Sequence, residues 1–231
     1  MNTGFEKNNI ATIKGIVNCE PEFSHSVLGE GFYSFIVKVD RLSSEADYLP
    51  VTISERLMGD LKVGDSVALS GQFRSYNKLV DGKSKLMLTM FARERLNPET
   101  TDEINRICLT GYICKEPIFR TTPFGREIAD ILVAVNRAYN KSDYLPCIAW
   151  GRNARFASEL AVGEKVELIG RIQSRNYQKK ISETQIETRT AYEISVSSIT
   201  LADIGEDYSY YNNDGINETN SIDASDEGVA F

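Results

Sequence analysis

Alternation of apolar and polar residues with a period of two runs through most of the chain as far as Leu201. It is clearest in SFIVKV (34–39), SVALSGQF (66–73), DILVAV (130–135) and KVELIGRI (165–172), and it predicts half-buried β-strands. Two segments break the alternation, SERLMGD (54–60) and WGRNARFASEL (150–160), and each reads as one short helix. A Val-Gly-Asp turn (63–65) and a Val-Gly-Glu turn (162–164) then launch the next strand.

The same order of elements occurs twice because the chain contains an internal duplication. Shifting the sequence by 96 lays GIVNCEPEF (15–23) over GYICKEPIF (111–119) and makes 13 of the 42 positions from 15 to 56 identical. After a gain of three residues, LKVGDSVALSG (61–71) lies over LAVGEKVELIG (160–170). Five strands with a helix between the third and fourth, in about 95 residues, fit the small Greek-key barrel called the OB-fold. The expected class is therefore all-β: two tandem five-stranded OB barrels at 8–95 and 105–201, a linker at 96–104 containing NPETTD, and a tail at 202–231. That tail is acidic, polar and poor in aliphatic residues, so it is expected to be disordered.

Asp-Tyr-Leu-Pro appears in both copies, at 47–50 and 143–146. Strand parity puts Leu145, Cys147 and Ala149 on one face, fit for a barrel interior, and Tyr144, Pro146, Ile148 and Trp150 on the other. In the first copy the inner face reads Leu49, Val51 and Ile53, whereas the outer face reads Tyr48, Pro50, Thr52 and Ser54. The wall is retained and the outer platform is changed. Outward aromatics beside Arg and Lys suit single-stranded nucleic acid, since stacking one base contributes about 1–3 kcal/mol in any sequence and cations hold the phosphates.

Division by segment changes the meaning of the net charge of −7: residues 1–104 carry −3, residues 105–201 carry +4 and the tail −8. A polyanion partner is compatible with this split. Hydrophobic residues at 42% and charged residues at 26% are globular values, and no apolar run is long enough to span a membrane. No secretory signal is read at the start. Cys19, Cys108, Cys114 and Cys147 form no CxxC and read as buried thiols. His25, the sole histidine, has no nucleophile at a suggestive spacing, GEG (29–31) lacks the phosphate-loop pattern, and no carboxylate set suggests a metal. No enzymatic activity, cofactor or metal is expected.

Residues 105–180 resemble a bacterial single-stranded DNA-binding protein, through NRICLTGYICKEPIF, TPFGREIADILVAVNR, CIAWGRNARFA and IGRIQSRNYQ. The resemblance implies base-stacking roles for Tyr139, Tyr144, Trp150 and Tyr177, to which Tyr48 and Tyr76 are added from the first copy. Arg137, Lys141, Arg152, Arg155, Arg171, Arg175, Lys179 and Lys180 become candidate phosphate contacts, with Arg41, Arg56 and Arg74 in the first copy. The basic stretches NRAYNK and GRIQSRNYQKK are read as loops bordering one face. The tail end Asp226, Glu227, Gly228, Val229, Ala230 and Phe231 is similar to the family's docking motif for replication and repair proteins.

The function this implies is sequence-nonspecific binding of single-stranded DNA during replication, recombination and repair, with recruitment through the tail. Family chains with one barrel commonly form tetramers, so a two-barrel chain is expected to form a homodimer. It is expected in a bacterial cytoplasm, at the nucleoid, with a bacterial, phage or mobile-element origin. The alternative is a primosome-type adaptor whose barrels mainly contact proteins. RNA or oligosaccharide is a more remote ligand class.

Overall fold

A computed structural model describes residues 7–80, 82–180 and 186–202. The first half contains β1 (Asn9–Val17), β2 (Glu22–Val27), β3 (Glu30–Asp40), β4 (Ala46–Ser54), α1 (Glu55–Met58), β5 (Ser66–Val80) and β6 (Lys83–Leu96). The second contains β7 (Asn105–Ile113), β8 (Ile118–Thr121), β9 (Glu127–Arg137), β10 (Lys141–Trp150), α2 (Arg152–Ser158), β11 (Lys165–Lys180) and β12 (Ile186–Leu201). Each half closes a barrel of five strands: β3, β4, β6, β5 and β1 in the first, β9, β10, β12, β11 and β7 in the second. The β4–β6 and β10–β12 pairs are parallel, as a Greek-key closure requires. Leu49, Val51 and Ile53 line one barrel and Leu145, Cys147 and Ala149 the other, none more than 3% exposed. The inner face read from parity is the inner face observed.

Six strands per half occur where five were expected. The additional β2 and β8 pair only with β3 and β9 and lie outside the barrels. All six residues of β2 are exposed, so no alternation of burial marks it. α1 is also shorter than SERLMGD suggested: Gly59, at φ 57°, ends it after four residues. α2 buries Ala154 and Ala157, one turn apart, and runs for seven.

β5 and β11 outrun their barrels. Each pairing with β6 or β12 shifts register just before a glycine, Gly71 or Gly170. A Cβ at Gly71 would fall on the carbonyl oxygen of Phe91, and one at Gly170 on that of Ser195, so the close strand crossing requires glycine. Beyond the bulge the hairpins continue as long arms. The segment SRNYQKK, expected as a loop, is therefore the end of β11, laddered with β12 as far as Lys180 opposite Ile186. Its residues are polar on both faces, which hides a strand from any hydrophobic count.

The two barrels join through β1 and β7, which pair antiparallel. Asn9 meets Leu109, Ala11 meets Ile107 and Ile13 meets Asn105. Since Asn105, Ile107 and Leu109 are the repeat equivalents of Asn9, Ala11 and Ile13, this register is self-complementary about Ala11 and Ile107. The sheet order β2-β3-β4-β6-β5-β1-β7-β11-β12-β10-β9-β8 is a palindrome of equivalent strands. The halves thus meet as an isologous dimer does, within one chain.

Candidate nucleic-acid interface

The repeated Asp-Tyr lies where the barrels touch. Asp47 is fully buried, and its carboxylate accepts hydrogen bonds from Arg41 (Nε 2.9 Å, Nη2 2.6 Å), from Arg171 Nη1 of the second barrel (2.8 Å) and from the Ser174 backbone N–H (2.7 Å). The Tyr48 N–H donates to Ser174 Oγ at 2.9 Å. Across the pseudo-twofold, the Ser75 N–H donates to Asp143 Oδ1 (2.7 Å) and the Tyr144 N–H to Ser75 Oγ (2.8 Å). Arg137 Nε approaches Asp143 Oδ2 at 3.2 Å, but that oxygen has no hydrogen-bond partner of proper geometry among the described residues. Burial raises the Asp143 carboxyl above its ordinary range, against the opposing pull of the Ser75 N–H and Arg137.

Beside the Asp47 end of this seam opens a groove of about 880 Å³ shared by both barrels. Tyr48, Arg41 and Glu45 line it from the first barrel, and Trp150, Arg171, Arg175, Ser174 and Tyr192 from the second. Tyr48 is 44% exposed and Trp150 39%, so both leave ring surface open to a ligand. Asp47 binds Arg41 and Arg171 from behind, and buried Glu193 approaches Arg175 at 3.5 Å. The Asp47 hydrogen bond raises the Arg41 pKa, whereas burial lowers that of Arg171. The guanidinium groups are consequently fixed and part-neutralised, and aromatic surface is the groove's stronger asset.

Other candidate residues fall into separate groups. Tyr144 is half-buried on the opposite flank of the seam, near Arg137, Arg74 and Tyr76, the last 49% exposed. Arg74 lies over the Phe91 ring at 4.0 Å and is held by Gln72; burial, then Arg137, lowers its pKa to about 10. Tyr139 stands 93% exposed at the β9–β10 tip, in the left-handed region at φ 63°, followed by Asn140 at φ 52°. Such a conformation costs roughly 1–3 kcal/mol for a non-glycine residue, and strain of this kind clusters at functional loops. Lys141 is exposed at the base of that turn.

On the β11 arm, alternation puts Arg175, Tyr177 and Lys179 on one face and Asn176, Gln178 and Lys180 on the other. The Arg175 guanidinium lies 5.9 Å from the centre of the Tyr177 ring. Arg56 and Arg152 are exposed on α1 and α2, and Arg155 pairs with Glu127 at 2.6 Å. Residues 226–231, expected to dock partners, lie outside the described residues.

Several lining residues escaped the sequence reading. Tyr192 sits on β12, outside the basic stretches singled out, Ser174 acts through a fold-dependent contact with the other barrel, and Gln173 links Arg171 to Glu193 within its own. A signal for Asp47 did exist, since the aspartate repeats along with the tyrosine. Among the described residues no group of three or more His, Cys, Asp or Glu could hold a metal, and no helix is long and apolar enough to cross a membrane.

Residues 104–202 match the Single-strand binding protein family. Single-stranded DNA-binding protein 1 of Staphylococcus aureus is 34% identical over 84 residues, covering 33% of this chain and 50% of that protein. Single-stranded DNA-binding protein A of Bacillus subtilis is 34% identical over 84 residues, covering 33% of this chain and 49% of its own length. The chain thus spans about half the length of the curated relatives it matches. In fold, the wild-type single-stranded DNA-binding protein of Thermus aquaticus superposes with a TM-score of 0.67 at 20% identity, covering 85% of this chain and 94% of that one.

Proposed function

We propose that this chain, whose residues 104–202 belong to the single-strand binding protein family, binds single-stranded DNA without sequence preference. The observation that carries the reading is the pairing of Trp150 and Tyr48, one from each barrel, along a groove edged by Arg41, Arg171 and Arg175. Bases stack on the two rings, with Tyr177 and Tyr139 as further platforms, and Tyr144 and Tyr76 offer rings on the opposite flank of the seam. Phosphates meet Arg175 and Lys179 on the arm, and Lys141, Lys180 and Arg152 beyond it. Stacking reads no base edge and therefore no sequence.

The biological role that follows is protection of exposed strands during replication, recombination and repair. Recruitment of partner proteins falls to residues 226–231, acid followed by an apolar end. Two chains would present four barrels, giving a molar mass twice the 25.9 kDa of one chain. The test is fluorescence anisotropy of labelled oligo(dT), with a duplex of equal length as competitor and molar mass measured alongside. Oligo(dT) binds, the duplex competes poorly, and log K falls with log salt at a slope of about −3, four or so phosphates at about −0.7 each. Equal binding of the duplex, or none of the oligonucleotide at low salt, overturns the reading.

A further inference from the structure

The first barrel lacks an aromatic where Trp150 stands, yet the register shows where one has gone. β10 pairs Trp150 with Ile128 of β9, and β4 pairs Ser54 with Phe32 of β3. Ser54 is the repeat equivalent of Trp150, and Phe32 that of Ile128. The same cross-strand slot thus holds one aromatic in each barrel, moved to the neighbouring strand. In both, the smaller partner is covered, Ile128 at 3% and Ser54 at 6% exposed, while the aromatic stays nearer the surface.

Phe32 belongs to a row. The His25 ring stacks on it at 5.1 Å and 9°, the Phe91 ring lies on it at 5.7 Å and 30°, and the Arg74 guanidinium covers Phe91 at 4.0 Å. This row leads to the Asp143 end of the seam, because Arg74 lies within electrostatic reach of Arg137 and Asp143 of the second barrel. There Tyr144 is bonded through its N–H to Ser75, next to exposed Tyr76. Aromatics on one barrel, an arginine, then the tyrosine of the other barrel's Asp-Tyr: the order matches that of Trp150, Arg171 and Tyr48, although Arg74 is the repeat equivalent of Gln173 and Arg171 that of Gln72.

We propose that His25, Phe32, Phe91 and Arg74 form a second stacking surface for single-stranded nucleic acid, so that one chain carries two tracks, one on each flank of the seam. The inference rests on the function proposed above and adds a site to it. Since Phe32 lies between His25 and Phe91, bases meet the row at the exposed His25 ring and along its outer edge, with the Arg74 guanidinium at the far end beside the phosphates. Arg74, at the seam end of the row, lies within electrostatic reach of Arg137 and Arg93, so phosphates are neutralised here too and salt weakens this track.

The experiment moves the fluorophore. In the full chain, Trp150→Phe with Phe32→Trp leaves a single tryptophan within the row. Oligo(dT) is expected to quench it in a saturable manner, and added salt to reverse the quench. Unchanged emission at concentrations that saturate the wild-type signal overturns the proposal. So does emission that follows protein concentration without DNA, which would make the row an interface between copies. Silence of wild-type Trp150 itself would instead defeat the parent reading. Because a tryptophan at residue 32 could disturb folding, Phe91→Leu with Trp150 retained provides a second arm. It is expected to lower the nucleotides bound per chain at saturation while Trp150 still responds; unchanged occlusion contradicts the second track.

Discussion

Asp47 and Asp143 fill the same place in the two copies, yet their surroundings differ. Asp47 is saturated by two arginines and a backbone N–H, whereas Asp143 has the Ser75 N–H on one oxygen and, on the other, Arg137 at 3.2 Å without a well-aligned donor. Removing a buried charge from a satisfied network leaves its partners exposed to the full desolvation cost. Asp47→Asn should therefore cost about 3 kcal/mol in urea unfolding, and Asp143→Asn less than half of that.

Acid titration separates them further. Since burial raises the Asp143 pKa in the folded state, the unfolded carboxyl, at 3.8, ionises first as pH rises. The folded chain then holds more protons than the unfolded one, and stability falls with increasing pH from about 4 until the folded group has ionised. Asp143→Asn should abolish this decline; its persistence in the variant would assign it elsewhere. Trp150 could be placed from strand parity, because a wall strand must alternate. The aspartate could not, since its partners Ser174 and Arg171 lie more than 120 positions away.

At the scale of elements, strands with one face in a core announced themselves, and those with no core-facing side did not. β2 and the outer part of β11 fall in the second group. The correction matters to function, for a loop would scatter Arg175, Tyr177 and Lys179, whereas a strand aligns them on one face. Tyr177→Ala should accordingly weaken oligo(dT) binding by about 1–3 kcal/mol, and Gln178→Ala by no more than a few tenths, both read by anisotropy. Equal losses at the two positions would refute the alignment. The arm's departure from the barrel was marked in the sequence by Gly71 and Gly170, though their close strand crossing becomes visible only with the neighbouring carbonyl in place.

For the whole molecule, duplication and barrel type were legible because the repeat preserves turns, glycines and inner-face residues. How the copies dock was not legible, since a shift in sequence carries no relative orientation. The self-complementary β1–β7 register and the crossed Asp–Ser bonds show that Asp-Tyr-Leu-Pro serves wall and seam together. Docking also changes the candidate site: Trp150 and Tyr48 line one groove from different barrels, so neither copy holds that site alone.

Trp150 is the single tryptophan of the chain and lies in that groove, which makes its emission a direct report on whether bases enter. Titration of the wild-type protein with oligo(dT) at low salt should quench this fluorescence to a plateau, and added salt should restore it. Emission that stays constant while anisotropy shows the oligonucleotide bound would contradict stacking in the shared groove.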